Sequence, residues 1–232
     1  MAIAIPFQPT QRFDFRLALG IPILLMGLLL LLDPTDLDFA LARLFYEDGT
    51  GFIGRRSYWL ETVLHDYAKQ AVILLAVCFI LAFIASFRFR ALSVWRRPLG
   101  YVVLAMSLTT AIVPLLKTLT GVQCPWSLAE FGGSETYSPL LGTRAETLKP
   151  GRCWPGGHAS TGFSLLALFF ALRDRHPKGA RFALGLALAL GTVFSTARMA
   201  QGAHFLSHNV WTLLIDWVIC VVCYRVVLYQ KD

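Results

Sequence analysis

The fold is decided by the stretch AVILLAVCFILAFIASF, residues 71–87, in which seventeen consecutive residues carry no charge. With the four residues before it, the stretch is long enough for a membrane-spanning helix, which needs about 20 mostly apolar residues. The rest of the 232-residue chain is similar, since 56% of its residues are hydrophobic and only 15% are charged. Ordinary soluble domains carry about a quarter charged residues. We therefore predict an all-α integral membrane protein.

Five more apolar runs predict a six-transmembrane-helix bundle that forms a single membrane domain over residues 1–232. The first run is interpreted as a retained span and not as a signal peptide, because Asp33-Pro34 follows it in place of a small-residue cleavage site. The first and fourth runs are short, and we expect them to tilt or to extend into their flanks. The six predicted spans are 17–32, 67–87, 99–119, 159–172, 182–200 and 210–229.

The net charge of +7 orients this bundle. The basic residues stand in short blocks between the apolar runs, which is typical of topology signals and argues against nucleic acid as a partner. With both termini placed in the cytoplasm, the inner segments carry a net charge of +9 and the outer segments −1. The sequence therefore predicts cytoplasmic termini and a long outer loop, residues 118–157, that acts as a lid.

Ionisable residues at the ends of the predicted spans are candidates for function, because a charge within a membrane is costly. Lys117 ends the third span and His158 opens the fourth. Arg198 ends the fifth span, and His204 lies between the fifth and the sixth. The predicted topology brings all four residues to the outer face. We therefore expect a cationic site there.

Two local patterns support this site. In WPGGHAS, residues 154–160, Gly156 and Gly157 precede an apolar helix, where the backbone can approach a ligand and the free N–H groups can face an anion. A tight turn before a helix is the alternative interpretation of the same residues. In the second pattern, His204 and His208 are four positions apart and fall on one face of a helix.

Together these segments resemble the type 2 phosphatidic acid phosphatase (PAP2) superfamily of membrane lipid phosphatases, whose motifs are K-x6-R-P, P-S-G-H and S-R-x5-H-x3-D. The order, spacing and helix placement match, and the resemblance covers about residues 99–225, the expected catalytic core. In this chain the motifs read Lys117-x6-Cys124-Pro125, Pro155-Gly156-Gly157-His158 and Ala197-Arg198-x5-His204-x3-His208.

The resemblance implies that His204 attacks phosphorus to form a phosphohistidine, while His158 protonates the leaving oxygen and then activates water. Lys117 and Arg198, with the amides of the two glycines at 156 and 157, would bind the phosphate. This chemistry requires no cofactor and no metal. The expected partners are the lipid bilayer and a substrate that is a membrane phospholipid, a prenyl pyrophosphate or lipid A. The expected location is the periplasmic face of a bacterial inner membrane.

The first motif has Cys124 in place of its arginine, so Arg144 or Arg152 of the same loop would have to supply that phosphate contact. Cys124 and Cys153 both lie in the outer loop beside a motif, and an oxidising compartment permits a bridge between them. We predict a Cys124–Cys153 disulfide. The alternative is a zinc site built from the two cysteines and the third-motif histidines, which would occupy the nucleophile His204.

The other motifs also depart from the family pattern. Gly156 and Ala197 each stand where the family has serine, which removes two hydroxyl contacts. His208 replaces the aspartate that orients the catalytic histidine in the family. His208 or Asn209 is therefore expected to orient His204 by a hydrogen bond, without supplying a negative charge.

Three other functions remain open from the sequence. A phosphotransferase would use the same phosphohistidine and pass the phosphoryl group to another lipid. An intramembrane serine protease would use Ser160 or Ser164, but it would leave Lys117 and Arg198 without a role. A non-catalytic transporter or scaffold would follow if the motif changes had removed activity.

The remaining charged and sulfur-containing residues of the spans are interpreted as structural. Asp216, inside the sixth span, is expected to pair with a neighbouring polar group. Lys69 is expected to extend to the outer interface. Cys78, Cys220 and Cys223 are expected to pack as small apolar side chains.

Overall fold

The computed structural model describes residues 12–147 and 149–230, with the side chain of His65 excepted. Within these residues, five stretches are long and apolar enough to cross a membrane, and each contains one long helix. The shortest of these helices has 18 residues. At a rise of about 1.5 Å per residue it measures roughly 27 Å, close to the thickness of the hydrocarbon core. The helices are α1 (Phe15–Leu32), α3 (Ala68–Arg88), α4 (Arg96–Thr120), α7 (Pro177–Ala200) and α8 (Leu206–Val227), and the short helix α2 (Thr35–Arg43) follows α1.

The predicted fourth span is two short helices in the structure, α5 (Gly157–Phe163) and α6 (Leu166–Leu172). A turn separates them, in which the Ser164 hydroxyl donates to the carbonyl of Thr161 at 2.9 Å. The pair packs very closely on α7, since a Cβ added to Gly162 would lie 2.5 Å from the nitrogen of Gly191. The predicted span 159–172 thus corresponds to a short apolar helical stretch, Gly157–Leu172, which a turn interrupts and which packs closely on α7.

The remaining elements are short and lie between the long helices. The hairpin β1 (Tyr46–Glu47) and β2 (Gly51–Phe52) is antiparallel, with Tyr46 opposite Phe52. A π-helical segment, Trp59–Tyr67, leads into α3, and a 3₁₀ segment, Arg90–Trp95, leads into α4. Two more 3₁₀ segments, Pro125–Ser127 and Ala129–Phe131, belong to the loop after α4.

The apolar side chains divide into a buried core and an exposed belt. Helices α5 and α6 pack against α7 and α4, and α8 packs between α1 and α4. The core contains fully buried Tyr101, Phe170 and Tyr224. Leu31 of α1 and Leu74 of α3 remain 82% and 64% exposed, as expected for side chains that face lipid.

Helix ends carrying the motif residues meet at one end of the bundle, called here the site end. It is formed by the C-termini of α4 and α7 and the N-termini of α5 and α8. A Cβ on Gly157 would lie 3.2 Å from Lys117 Nζ, and the Gly156 N–H donates to the carbonyl of His208 at 3.2 Å. At the opposite end, Arg97 donates to the carbonyl of Val227 at 3.0 Å.

An aromatic cluster covers part of the site end and joins the segment after α1 to the loop after α4. Phe39 of α2 stacks on Phe205 at 5.2 Å between ring centroids and contacts Phe131 at 5.5 Å. Asp38 accepts a hydrogen bond from the backbone N–H of Ser207 at 2.9 Å and a second from the Ser207 hydroxyl. The start of α8 is therefore fixed by α2.

Candidate active site

His204 lies in the tight connection between α7 and α8. Gly202 adopts a φ of +71°, a conformation that favours glycine, and a Cβ there would lie 2.3 Å from the ring of Phe52. The N–H of Ala203 donates to the carbonyl of Arg198 at 2.9 Å, and the N–H of Trp126 donates to the carbonyl of Gly202 at 2.9 Å. These contacts fix the backbone that carries the histidine.

The imidazole of His204 is only 3% exposed, and its Nδ1 lies 2.7 Å from the carbonyl oxygen of Cys153. Because a carbonyl oxygen only accepts, Nδ1 carries the hydrogen and Nε2 keeps its lone pair. Burial, and next the positive charge of Lys117, hold the pKa of His204 well below its usual value of 6.5. The ring is therefore neutral at pH 7, the state that a nucleophilic imidazole requires.

The Cys124–Cys153 disulfide is present, as predicted, with the two Cα atoms 5.1 Å apart. It joins the segment after α4 to the segment that enters α5. The backbone N–H of Cys153 also donates to the carbonyl of Val122 at 3.1 Å. Because both sulfurs are used in the bridge, the alternative zinc site loses two of its ligands. Cys220 and Cys223 are buried, whereas Cys78 is exposed on α3.

Lys117 and His158 are among the residues that line an apolar cavity of about 530 Å³. Lys69 also lines it, so this residue faces the site cavity and not merely the interface as expected. Most other lining side chains are apolar residues of α3 and α4, among them Val72, Ile73, Ile80, Val103, Met106 and Val113. The cavity thus combines positive charge with a hydrocarbon-like wall.

Arg198 lies in the last turn of α7, where its Nη1 donates to Gln201 Oε1 at 2.7 Å. Its guanidinium carbon is 5.6 Å from the centroid of the Trp126 ring. Its Nε is buried and makes no hydrogen bond within the part of the chain that the structure describes. The group is therefore held in place and retains donor capacity for an anion.

Arg55 is a cation near the site that the sequence reasoning missed. Its guanidinium carbon lies 5.8 Å from the centroid of the same Trp126 ring. The preceding Gly54 bonds through its N–H to the carbonyl of Ala200 at 2.9 Å, which ties this loop to the end of α7. No sequence pattern links Arg55 to the motifs, so only the fold reveals its position.

Gly156 does not offer its amide to a phosphate, contrary to the expectation, because that N–H is bonded to the carbonyl of His208. A Cβ at this position would lie 2.4 Å from Asn209 Oδ1. The steric contact explains why glycine and not serine stands here. The N–H of Gly157, in the first turn of α5 beside Lys117, has no partner within the helix and can face an anion.

The two arginines expected to replace the missing motif arginine are elsewhere. Arg144 donates to the carbonyls of Thr120 and Leu140 at 2.9 and 2.7 Å, among others, and so ties the loop together. Arg152 is exposed and lines a separate cavity of about 390 Å³ that neither Lys117 nor His158 lines. Neither guanidinium is placed with the phosphate-binding candidates.

His204 donates its hydrogen bond to the backbone carbonyl of Cys153, and not to His208 or Asn209 as expected. The His208 ring centroid lies 6.1 Å from that of His204. Its Nδ1 makes no hydrogen bond with any described residue. The Asn209 amide donates instead to the carbonyl of Phe205 at 3.0 Å. The carbonyl of Cys153 is thus the group to which the His204 ring is hydrogen-bonded.

The remaining polar residues near the site have structural contacts. Ser160 donates to the carbonyl of Thr109 at 3.5 Å, and Ser164 donates within its own helix turn. This arrangement does not favour a serine nucleophile. Asp216 is fully buried, and neither of its carboxylate oxygens makes a hydrogen bond with any described residue, so the expected pairing with a polar neighbour is not seen.

A family model described as the PAP2 superfamily matches residues 98–232, more than half of the chain. The chain belongs to the PAP2 superfamily. The matched region contains all three motif segments and the helices α4 to α8 that bring them together. Membership implies activity of the phosphatase type. No curated protein and no solved structure matches the chain.

Proposed function

We propose that this PAP2 protein is a membrane lipid phosphatase that hydrolyses a lipid phosphomonoester or pyrophosphate through a phosphohistidine on His204. The observation that carries the proposal is a cavity that is lined by Lys117 and His158 together with a largely apolar wall. The cationic residues of such a cavity suit the phosphate of a lipid phosphate, and its apolar wall suits the hydrocarbon chain.

In the first step, His204 Nε2 attacks phosphorus, the N–P bond forms and the P–O bond to the lipid breaks. Lys117 and Arg198 offset the negative charge on the equatorial oxygens, the main task in phosphoryl transfer. His158 gives its proton to the leaving oxygen. The neutral Nδ1–H tautomer of His204 supports this assignment, because it leaves Nε2 free to react.

In the second step, His158 accepts a proton from water, which attacks phosphorus as the N–P bond breaks. Inorganic phosphate leaves and His204 returns to its neutral form. Both steps use only side chains of the site end, and neither step requires a metal or a cofactor. General acid–base catalysis of this kind contributes about 10²–10⁴-fold, so loss of His158 should reduce the rate strongly.

The cavity supports a lipid as the substrate. Its volume of about 530 Å³ accommodates part of a hydrocarbon chain, with the phosphate at Lys117. The candidate substrates are phosphatidic acid, phosphatidylglycerophosphate, undecaprenyl pyrophosphate and lipid A. Lys69 adds a second ammonium to the same cavity, which suits substrates with more than one negative charge.

We also propose the membrane arrangement. Helices α5 and α6 together form a sixth crossing, both termini are cytoplasmic, and the site end faces the periplasm across the inner membrane. The distribution of basic residues supports this orientation, since they accumulate in the segments away from the site end. A lipid would then reach the site from the outer leaflet.

The test is phosphate release by the purified protein from a panel of these lipids, comparing the wild type with His204→Ala. His176→Ala is the matched control, because this histidine precedes α7 at the opposite end and stacks on Trp95. We expect activity in the wild type and control and only background in His204→Ala. Equal activity of His204→Ala and wild type would refute the mechanism. Transfer of labelled phosphate to a second lipid, without release, would indicate the phosphotransferase alternative.

A further inference from the structure

We propose that the Cys124–Cys153 disulfide positions the nucleophile, because it fixes the backbone carbonyl that orients His204. This inference rests on the proposed function, in which His204 attacks phosphorus. It assigns Cys153 a role as a positioning residue that acts through His204 and does not touch the substrate.

The hydrogen bond between His204 and Cys153 supports this role. The carbonyl of Cys153 accepts from His204 Nδ1 at 2.7 Å in a buried environment. It selects one tautomer and one ring orientation. A nucleophile misplaced by about 1 Å costs on the order of 100-fold in rate, so the position of this carbonyl matters.

The backbone around the Cys153 carbonyl is held by close contacts and by the disulfide. Cys153 belongs to a long loop segment between α4 and α5, and its neighbours pack backbone against backbone. A Cβ on Gly151 would lie 2.1 Å from the carbonyl oxygen of Val122. Two interactions join Cys153 to the segment after α4: the disulfide to Cys124 and the hydrogen bond from the Cys153 N–H to the carbonyl of Val122. Without the bridge, the carbonyl depends on non-covalent contacts alone.

The residue at position 208 also supports this role for Cys153. The motif that this chain resembles has aspartate there as the group that orients the catalytic histidine. Here the position holds an imidazole whose Nδ1 has no hydrogen-bond partner among the described residues. The carbonyl of the bridged Cys153 therefore replaces a carboxylate carried by α8.

The experiment measures hydrolysis of dioleoyl phosphatidic acid by the purified full chain in detergent micelles, with and without a phosphine reductant. The reductant converts the disulfide to two thiols and is itself oxidised to the phosphine oxide with water as the oxygen source. We expect reduction, or Cys124→Ser, to lower kcat by about 10–100-fold while KM changes little.

The decisive variant is His208→Asp, which restores a carboxylate beside His204. In this background we expect the rate to become nearly insensitive to reduction and to Cys124→Ser. Cys78→Ser is the matched control, since this free cysteine is exposed on α3, and it should respond to reduction as the wild type does. If the disulfide merely stabilised the fold, its loss would lower the melting temperature, and His208→Asp would not rescue the rate. That result would overturn the inference.

A second measurement does not depend on turnover. Nitrogen-15 spectra of histidine-labelled protein, assigned with His204→Ala, report which ring nitrogen carries the hydrogen. We expect the Nδ1–H form in the oxidised protein and a mixture after reduction. An Nε2–H form in the oxidised protein would refute the positioning role. An Nδ1–H form in a protein that hydrolyses no lipid would refute the proposed function alone.

Discussion

At the scale of single residues, Gly156 has a steric reason to differ from the serine of the PAP2 motif. Its N–H is bonded to the carbonyl of His208, and the space where a side chain would begin is filled by the amide of Asn209. The turn is therefore packed for glycine, and restoring the serine of the family should not restore a better site.

We predict that Gly156→Ser destabilises the protein. A Cβ 2.4 Å from Asn209 Oδ1 forces the turn or the amide to move, and overpacking of this kind costs about 1–3 kcal/mol. Thermal unfolding in detergent should show a lower melting temperature. The double variant Gly156→Ser/Asn209→Ala should recover most of the loss, and Gly27→Ser, where nothing lies within 4 Å, should be neutral. An unchanged melting temperature in Gly156→Ser would contradict the packing argument.

The sequence predicts part of the site at this scale. Lys117, His158, Arg198 and His204 are motif residues, and the fold brings the segments that carry them to one end. The orienting group was not predictable, because it is a backbone carbonyl and every residue has one. Arg55 was missed since it lies outside all three motifs and meets Trp126 only in the folded chain.

At the scale of elements, the contact between Asp38 and Ser207 joins α2 to the first turn of α8, beside His208. The carboxylate accepts from two donors at the helix N-terminus, which satisfies a backbone N–H that would otherwise lack a partner. Burial nevertheless raises the pKa of Asp38 from 3.8 to about 6, because the loss of solvent outweighs these two hydrogen bonds.

We predict that this carboxyl makes stability depend on pH. Because the pKa of Asp38 is higher in the folded protein, protonation of this carboxyl favours the fold. The resulting stabilisation is complete below about pH 4 and is lost as the pH rises through about 6. Relative to Asp38→Asn, the free energy of unfolding of the wild type should fall by up to about 3 kcal/mol between pH 4 and pH 7. The measurement is the difference in melting temperature between the two proteins across this range.

The comparison with Asp38→Asn isolates this carboxyl from other titrating groups. The lowered pKa of His204 has the opposite effect, since it makes the fold less stable as the pH falls below 6.5, but both proteins share it. If the wild type kept or gained melting temperature relative to Asp38→Asn as the pH rises to 7, the charged form of Asp38 would not be destabilised in the fold.

The elements were predictable where a long apolar run decides them. The predicted spans 17–32, 67–87, 99–119, 182–200 and 210–229 each correspond to a long helix with ends shifted by a few residues. The exception is 159–172, where the same kind of run forms α5 and α6. Hydropathy cannot distinguish these cases, because it reports how apolar a run is and not where its backbone hydrogen bonding is interrupted.

At the scale of the whole molecule, the exposed apolar side chains indicate a lipid-facing surface, and the proposed orientation gives this surface a direction. We predict that a reporter active only outside the cytoplasm is inactive when fused after residue 230 and active when fused after Glu146. Comparable expression of the two fusions, checked by immunoblot, is the control. An active fusion after residue 230 would contradict the even number of crossings.

In the proposed mechanism, the site end holds a phosphate over His204 while the lipid chain stays in the apolar cavity. The protein is mixed with ³²P-labelled lipid phosphate, the reaction is stopped rapidly without acid, and the peptide that contains His204 is analysed by mass spectrometry. We predict an acid-labile, base-stable phosphoryl group on this imidazole in the wild type and none in His204→Ala. Turnover of the lipid with the phosphoryl group on another residue would contradict this mechanism.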